Sequence, residues 1–426
     1  MSKILLILLT SLVAQWVHAE SITLVQLQEH AFKNNLILKA ARANTEMANM
    51  EQQVTKASLY PKIGIELGLE QTTNIDTDVE DTERLKSIYS EYNLFNGFRD
   101  QNKLNQSRIY SKKAISELKE SEFLLHLKIE RLYFSYLYLN KNIEITKQAI
   151  IRNQVHLKYI KKRLASGLVT KTDLLEFKLR KSKLKSKLEY LNLNSFETQA
   201  NIFRNVGLSK TNDLIISGEL PHYEVNTSFE ILLNTFNRNS ESMKRAHLNI
   251  AEAKLETAIE NSGWYPSVDL VAKHGNLSAA ETGIDNDDTS TSITVVGRWE
   301  LFSGFETQSA SKKASINKLR QEHLLKQKVL DDSSFIQTNY QRLKAIESRI
   351  QHEEINSKIA TELYAKTLKE YRKGVKDSGA LSAAGDELTD ISEKVYSLKM
   401  DFVKTKLTLE SVIGSHVQLK QISHKH

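Results

Sequence analysis

Two hydrophobic periods alternate along this chain. From Leu24 to Tyr60 apolar residues recur at helical spacing, and the residue before Pro61 is pushed out of the α region, so the helix should end at Tyr60. From Lys62 the period falls to two, which predicts a strand with one apolar face. The apolar positions of this strand are Ile63, Ile65, Leu67 and Leu69. A second alternating run ends at Phe95 and completes a hairpin around an acidic loop.

A much longer helical pattern follows the hairpin. Steps of four and three residues from Leu125 to Leu164 reach mostly apolar positions, which is the heptad seam of a coiled coil. No proline lies between Gly97 and Gly167, and at 1.5 Å per residue that stretch would form a rod of roughly 100 Å. A turn at Gly167 and a return helix complete the series.

The whole series occurs twice. Tyr60-Pro61 recurs 205 residues later as Tyr265-Pro266, and three further landmarks recur 207 residues later. These are Leu94 to Phe98 with Leu301 to Phe305, Gly167 with Gly374, and Val206-Gly207 with Ile413-Gly414. A constant separation predicts two copies of one structural unit.

The two copies predict the organisation of the chain. Residues 1–19 form a signal peptide, 20–207 the first repeat, 208–228 a linker, 229–414 the second repeat and 415–426 a tail. In the first repeat we expect a helix, a hairpin at about 62–95, a long helix at about 98–165 and a return helix at about 170–206. In the second we expect a helix, a hairpin at about 267–302, a long helix at about 305–373 and a return helix at about 380–413.

Composition limits the possible functions. The 426 residues carry a net charge of +7, the mean hydropathy is −0.41, and the absence of cysteine excludes disulfides, thiolate metal sites and a Cys nucleophile. The twelve histidines show no zinc-binding spacing, and no glycine loop cradles phosphate, so we predict no enzyme, no metal and no cofactor. The basic runs Lys161-Lys162-Arg163 and Lys178 to Lys187 suit nucleic acid by charge alone. Export makes that partner implausible, so we interpret them as solvated faces of the rods.

The strands indicate how an exported chain without an apolar helix would enter a membrane. Four strands cannot close a barrel alone, but several chains together remove the sheet edges. The apolar faces would then meet lipid and the polar faces an aqueous lumen. The predicted lipid-facing residues are Ile63, Ile65, Leu67, Leu69, Val268, Leu270, Ala272, Ile293, Val295 and Trp299. The alternative is a buried sheet in a soluble protein.

The order of elements, the paired Tyr-Pro and Leu-Phe-x-Gly-Phe sites, and the turn from Gly167 to Leu175 together resemble the TolC family. That resemblance covers Leu24 to Gly414. It implies a mainly α fold with a small β part, in which long antiparallel coiled-coil helices of three chains form an α-barrel. This α-barrel continues a 12-stranded outer-membrane β-barrel with four strands from each chain. It also implies a location in the Gram-negative outer membrane, with the helical part in the periplasm.

By the same resemblance, the functional positions lie at the helix turns. Candidates for the periplasmic entrance are Asp173, Glu176, Asp377 and Asp386, and candidates for the adaptor-docking turns are Gly167, Leu168, Val169, Gly374 and Val375. In the second copy the family's entrance aspartates align with Ala380 and Ala383, which departs from the pattern. Asp173 also suits the first turn of a helix, and the glycines also suit turn geometry, so both interpretations stay open.

The implied function is a trimeric exit duct of a tripartite efflux pump or a type I secretion system. Its partners would be identical chains, a periplasmic adaptor (membrane fusion) protein, an inner-membrane transporter and outer-membrane lipid, with no nucleic acid. The cargo stays open between small molecules and proteins. The competing hypothesis is an exported coiled-coil structural or adhesive envelope protein without a channel, for which an apolar strand face has no use.

Overall fold

A computed structural model describes residues 21–74, 79–208, 215–221, 223–276 and 289–421. The predicted signal peptide and the C-terminal end of the tail lie outside the described residues, as does most of the loop between residues 276 and 290. Within those ranges the predicted fold class is confirmed: the chain is mainly α, with two copies of one series of elements and one four-stranded antiparallel sheet.

The elements follow the same order in both copies. The first copy contains β1 (Ser21–Ile22), α1 (Leu24–Asn34), α2 (Leu36–Ala57), β2 (Lys62–Asn74), β3 (Val79–Phe95), α3 (Arg99–Ala165) and α4 (Lys171–Val206). Two short strands, β4 (Ile215–Ile216) and β5 (Tyr223–Glu224), lie between the copies. The second copy contains α5 (Phe229–Asn239), α6 (Glu241–Asn261), β6 (Ser267–Asn276), β7 (Ser290–Arg298), α7 (Glu306–Arg372) and α8 (Ser378–Ile413), and β8 (Lys420–Gln421) follows.

The first helix of each copy is interrupted, whereas the sequence predicted one continuous helix. Asn35 has a non-helical ψ of 124°, and its side-chain oxygen accepts a hydrogen bond from the amide of Leu38 at 3.1 Å. Ser240 has a ψ of 112° and accepts from the amide of Met243 at 3.4 Å. At both breaks a side-chain oxygen accepts the hydrogen bond of a backbone amide that a helical carbonyl would otherwise accept. The pattern of hydrophobic residues does not reveal such a side-chain hydrogen bond.

The chain divides into two compact units. The strand unit comprises Lys39–Ser121 and Asn237–Ser334, and the helical unit comprises the described parts of Met1–Leu38, Glu122–Phe236 and Phe335–His426. In the strand unit the sheet order is β2-β3-β6-β7, with antiparallel neighbours throughout. The hairpin of the second copy ends at Arg298, where the sequence predicted about 302. Arg298 pairs with Ser267, and the preceding Pro266 has no amide to continue the ladder, so Trp299 follows the strand.

Each hairpin joins its long helix through a left-handed turn. Gly97 and Phe98 have φ values of 66° and 64°, and Gly304 and Phe305 have values of 61° and 68°. In both copies the two phenylalanines of Leu-Phe-x-Gly-Phe stack edge to face with ring centroids 5.4 Å apart. A Cβ at position 97 would lie 2.7 Å from the carbonyl oxygen of Ser262, so this turn requires glycine.

The helical unit is built on the predicted heptad seam. Ile129 and Ile160 of α3 are fully buried, and Ile336 and Leu343 occupy buried positions of α7. In the largest apolar cluster, Ile129 of α3 packs together with Leu27 of α1, Ile202 of α4 and Leu407 of α8. Apolar seams, rather than intrinsic helix propensity, therefore hold these long helices in place.

A group of buried charges joins α3, α8 and the segment after α8. The Lys406 ammonium lies 3.2 Å from Glu130 and 3.1 Å from Glu410, and all three side chains are buried. Glu410 also accepts from the amide of Val417 at 2.8 Å and contacts His416 at 3.3 Å. Burial raises the pKa of Glu130, whereas the hydrogen bond to Glu410 raises the pKa of His416.

Among the described residues, none of the helices has the combination of length and apolar composition needed to cross a membrane.

We predict that Lys406→Ala destabilises the protein strongly. The substitution removes the ammonium from two buried carboxylates, a loss that costs about 3–5 kcal/mol. Lys404→Ala, two residues earlier on the same helix and half exposed, should change stability by less than about 0.5 kcal/mol. Thermal unfolding followed by circular dichroism would compare the two variants, and equal midpoints would contradict the prediction.

Candidate functional site

Each long helix ends in a hydrogen-bonded Schellman turn. After α3 the amide of Gly167 donates to the carbonyl of Leu164 at 3.0 Å, and the amide of Leu168 donates to the carbonyl of Arg163 at 2.9 Å. After α7 the corresponding amides donate over the same separations at 3.0 Å each. This pairing satisfies the last carbonyls of the helix and requires a left-handed residue, which both copies supply as glycine.

The predicted docking residues at these turns differ in how far their side chains are exposed to solvent. Gly167 and Gly374 adopt φ values of 70° and 82°. Leu168 is 64% exposed and Val375 is 70% exposed, although both side chains are apolar. Val169 instead packs against the core below the turn. Two of the three predicted apolar side chains therefore point into solvent.

A small core ties the two turns together. It consists of Ile160, Phe177, Tyr371 and Leu381, which come from the four helices that meet there. The guanidinium of Arg163 lies 4.9 Å from the ring centroid of Tyr371 and donates to its carbonyl oxygen at 3.2 Å. We refer to this core and its two turns as the tip.

Asp173 belongs to a capping box at the start of α4. Its carboxylate accepts from the amide of Thr170 at 2.8 Å and from the Thr170 hydroxyl at 2.7 Å. The hydroxyl of Ser378, in the first turn of α8, donates to its other oxygen. The Ser378 bond is the main reason that the pKa of Asp173 lies below its usual value. Asp173 therefore stays charged and links the starts of both return helices.

The other predicted entrance acids have different surroundings. Asp377 caps α8 by accepting from the amide of Ala380 at 2.7 Å, and it occupies the position of Thr170 in the second copy. Asp386 pairs with Arg180. Glu176 is exposed on α4. The four acids therefore do not form one cluster in a single chain.

Two ion pairs connect the return helices α4 and α8. Arg180 pairs with Asp386, and one heptad further along Lys187 pairs with Glu393 at 2.7 Å. These cations belong to the basic run Lys178 to Lys187, which we expect from the sequence to be a solvated face. That interpretation is wrong for Arg180 and Lys187. The missed signal was the acidic character of α8 at the same distance from the turn.

A buried histidine lies below the tip core. His156 forms a hydrogen bond of 2.9 Å with the hydroxyl of Tyr364, and the guanidinium of Arg152 lies 5.9 Å from the Tyr364 ring centroid. Burial, reinforced by Arg180, Arg152 and Arg372, lowers the pKa of His156 to about 4. The histidine is therefore neutral at pH 7. An isolated histidine on a helical pattern gave no sequence signal for this role.

The register of the sheet gathers the predicted lipid-facing residues on one side. Ile63 pairs with Ser90, Ser90 with Ala272, and Ala272 with Ile293. Further residues on this face are Ile65, Leu67, Leu69, Val268, Leu270 and Val295, with Ile88 added and Lys86, Ser90, His274 and Thr291 as polar interruptions. The β2 side chains of this face are 72–76% exposed. Trp299, beyond the strand, donates to the carbonyl of Trp264 at 3.3 Å.

The opposite side of the sheet is polar. Lys273 lies 3.2 Å from Glu66, and Asp269 accepts from Asn93 at 2.7 Å and lies 3.5 Å from Arg298. The sheet therefore has an apolar exposed face and a charged face.

One group among the described residues has metal-ligand geometry. The ligand atoms of Glu130, Glu410 and His416 lie within 4.8 Å of one another. The ammonium of Lys406 already lies between the two carboxylates. This group thus holds its own cation, which disfavours a metal.

The fold defines a class: duplicated chains in which two hairpins form one four-stranded sheet and a long helix follows each hairpin. Similar solved structures include the outer membrane protein VceC from Vibrio cholerae, at 16% identity and a TM-score of 0.81, covering 92% of this chain and 96% of that chain. The Campylobacter jejuni CmeC channel has 14% identity and a TM-score of 0.78, with coverages of 92% and 85%. The Neisseria gonorrhoeae MtrE channel has 12% identity and a TM-score of 0.79, with coverages of 92% and 89%. The comparison with curated proteins found no match.

The family model described as Outer membrane efflux protein matches residues 27–195 and 232–415. The chain belongs to this family. Membership confirms the predicted location, a Gram-negative outer membrane with the helical part in the periplasm, and assigns the chain to transport rather than catalysis. The first matched segment lies within the first repeat, and the second begins within the second repeat and ends one residue beyond it.

We predict that acid loosens the tip through His156. Because its folded pKa of about 4 lies below the usual value, its stabilising contribution is complete above pH 6.5 and is lost progressively as the pH falls from 6.5 to 4. The loss at pH 5 amounts to about 2 kcal/mol. His156→Gln keeps a donor for Tyr364 but does not titrate, so it should remove this pH dependence.

Hydrogen exchange of residues 150–180 at pH 7.5 and pH 5 would measure the effect. The control is His323→Gln, which replaces an exposed histidine of the strand unit and should leave the wild-type pH dependence unchanged. Identical pH dependence in wild type and His156→Gln would disprove the prediction.

Proposed function

We propose that three copies of this chain form an outer-membrane channel. The observation that carries the proposal is the sheet, which has one exposed apolar face and two edges, at β2 and β7. In lipid, unpaired strand edges leave backbone groups without hydrogen bonds, each at a cost of several kcal/mol. A sheet of this kind needs further strands on both sides.

Joining copies edge to edge supplies them. The four strands alternate in direction, so β7 of one chain meets β2 of the next in antiparallel orientation. Three chains close a barrel of twelve strands, an even number as in other bacterial outer-membrane barrels. The long helices of the three chains would then continue the channel as a tunnel through the periplasm.

The different chemistry of the two faces of the sheet supports an assignment of one to lipid and the other to the lumen. The face with Ile63, Ile65, Leu67 and Leu69 meets the hydrocarbon, and the face with Glu66, Asp269 and Lys273 lines the water-filled pore. Trp264 and Trp299, just outside the strands, fit the aromatic girdle at the membrane interface. Residue Trp299 thus has an interfacial position rather than one within a strand.

The channel is a passive exit duct. It takes cargo from an inner-membrane transporter through a periplasmic adaptor, either in an efflux pump or in a type I secretion system. The tip, with Gly167, Leu168, Val169, Gly374 and Val375, is the docking end. Of the entrance acids, Glu176 is the candidate for the pore, because Asp173 and Asp377 cap helices and Asp386 pairs with Arg180.

We predict that Val295→Arg impairs assembly, whereas Thr294→Arg does not. The two residues are neighbours on β7 and lie on opposite faces of the sheet, so the same arginine is placed in lipid or in the lumen. Arginine on the lipid face costs up to about 2–4 kcal/mol. The measurement is the fraction of outer-membrane protein that migrates as a folded trimer without heating.

Equal tolerance of both substitutions, or a freely soluble monomer, would exclude the barrel. Selective failure of Thr294→Arg would instead mean that the two faces are reversed.

A second prediction concerns selectivity. Glu176→Gln should shift the cation-to-anion permeability ratio of single channels toward anions by about twofold or more, because three carboxylates leave one ring. The control is Glu189→Gln, which neutralises another exposed acid of α4 further from the turn. An unchanged ratio in Glu176→Gln would remove this residue from the pore.

A further inference from the structure

The net charge of the chain is concentrated at the tip. The windows of ten residues on either side of Gly167 and Gly374 contain ten Lys and Arg but only four Asp and Glu. Their net charge is +6, whereas the whole chain of 426 residues carries +7. Outside the two windows positive and negative charges nearly cancel. The tip is therefore a basic patch, and the basic run Lys178 to Lys187 of α4 continues directly from it.

The positive charges of the tip point into solvent. The exposed cations are Lys158, Lys161, Lys162, Lys171, Lys366, Lys369, Arg372, Lys373 and Lys376. We call them the basic collar. Lys366 pairs with Glu362, and Arg372 lies over the ring of Tyr159. The remaining cation, Arg163, is held against Tyr371 in the tip core.

The acids of the same windows offset the collar only in part. Asp173 turns toward Thr170 and Ser378, and Asp377 caps the first turn of α8. Both serve the backbone or a hydroxyl group of the tip itself. Two of the four acids are therefore engaged at the helix starts, and the exposed Glu176 and half-buried Glu370 leave the nine exposed cations in clear excess.

An exposed apolar side chain stands within each half of the collar. Leu168 and Val375 occupy the same position of the two Schellman turns, the residue after the left-handed glycine. In that motif this residue usually contacts the last turn of its own helix. Here both side chains are largely exposed, whereas the neighbouring Val169 packs inward. The tip thus presents two exposed apolar side chains, each held on a hydrogen-bonded turn and surrounded by positive charge.

The two copies reach this charge at different positions. Lys161 corresponds to Leu368 in the second copy, and Lys373 corresponds to Ser166 in the first. Only Lys162 and Lys369 coincide. Each half of the tip is basic by its own set of residues, so the charge is a property of the surface rather than of one repeated motif.

We infer that the protein partner docking on this tip presents an acidic collar around a small apolar recess. This inference rests on the proposed function, in which the tip is the docking end. Opposite collars accelerate encounter and set the orientation of the two tips, and like charges exclude wrong partners. The recess accepts Leu168 and Val375, whose rigid turns hold them ready for a shaped surface. An anionic membrane surface would be attracted by the basic collar alone and would not need the two exposed apolar side chains.

The test uses the full-length channel in nanodiscs and designed helical hairpins as probes. Three hairpins share one backbone and an apolar recess at the tip, and carry a collar of Glu, Gln or Lys. The variant Lys161→Glu, Lys162→Glu, Lys373→Glu, Lys376→Glu reverses part of the basic collar. The matched control places the same charge change on exposed lysines of the strand unit: Lys112→Glu, Lys119→Glu, Lys312→Glu and Lys313→Glu.

The Glu hairpin should bind the wild-type channel at least about tenfold more tightly than the Gln hairpin, with a preference that weakens at high salt. The tip variant should lose this preference and favour the Lys hairpin, while the control variant behaves as wild type. Leu168→Ser with Val375→Ser should weaken all three hairpins. Equal binding of the three hairpins to the wild type would overturn the inference.

Two further measurements separate the other outcomes. The first is binding of the channel to phosphatidylglycerol vesicles. If the wild type binds the vesicles, the tip variant does not, and the three hairpins bind the wild type equally, the tip binds lipid and the inference is overturned. Conductance in planar bilayers is recorded on the same preparations. A conducting channel that ignores the hairpins refutes only the acidic partner, whereas absence of conductance refutes the duct itself.

Discussion

The backbone hydrogen bonds at the edges of the four-stranded sheet are the constraint on which the architecture depends. In one chain β2 and β7 have a neighbour on one side only, and the face between them is apolar and exposed. Neither water nor lipid suits such a sheet: water penalises the face and lipid penalises the edges. Closure with further copies resolves both.

The helical unit uses two kinds of contact, and they lie in different places. Ile129, Ile336 and Leu343 form apolar seams, whose energy grows with area and tolerates small shifts in register. Between α4 and α8 the contacts include the pairs Arg180 with Asp386 and Lys187 with Glu393. Partly exposed ion pairs add little net stability but fix one helix against another. The return helices therefore combine apolar packing with ion pairs that set their alignment.

Much of the fold could be predicted from the sequence, because hydrophobic periodicity and an internal repeat can both be recognised without knowing which residues are in contact. The strands, the long helices and the glycine turns are of this kind. The breaks at Asn35 and Ser240 were missed, since a side chain bonding to the backbone leaves the hydrophobic pattern intact. The partners of Asp173 and Arg180 were missed too. Each lies about 205 residues away, and their roles depend on how two helices meet rather than on either sequence alone.

The internal duplication has a consequence for symmetry. A half-length chain with one hairpin and one turn would need six copies for the same ring, and every substitution would then appear six times. In the proposed trimer, a ring position alternates between two residues, such as Asp173 in the first copy and Ala380 in the second. One copy is thus free to change its chemistry while the other keeps the geometry. Duplication therefore allows the two residues that alternate around such a ring to change independently of each other.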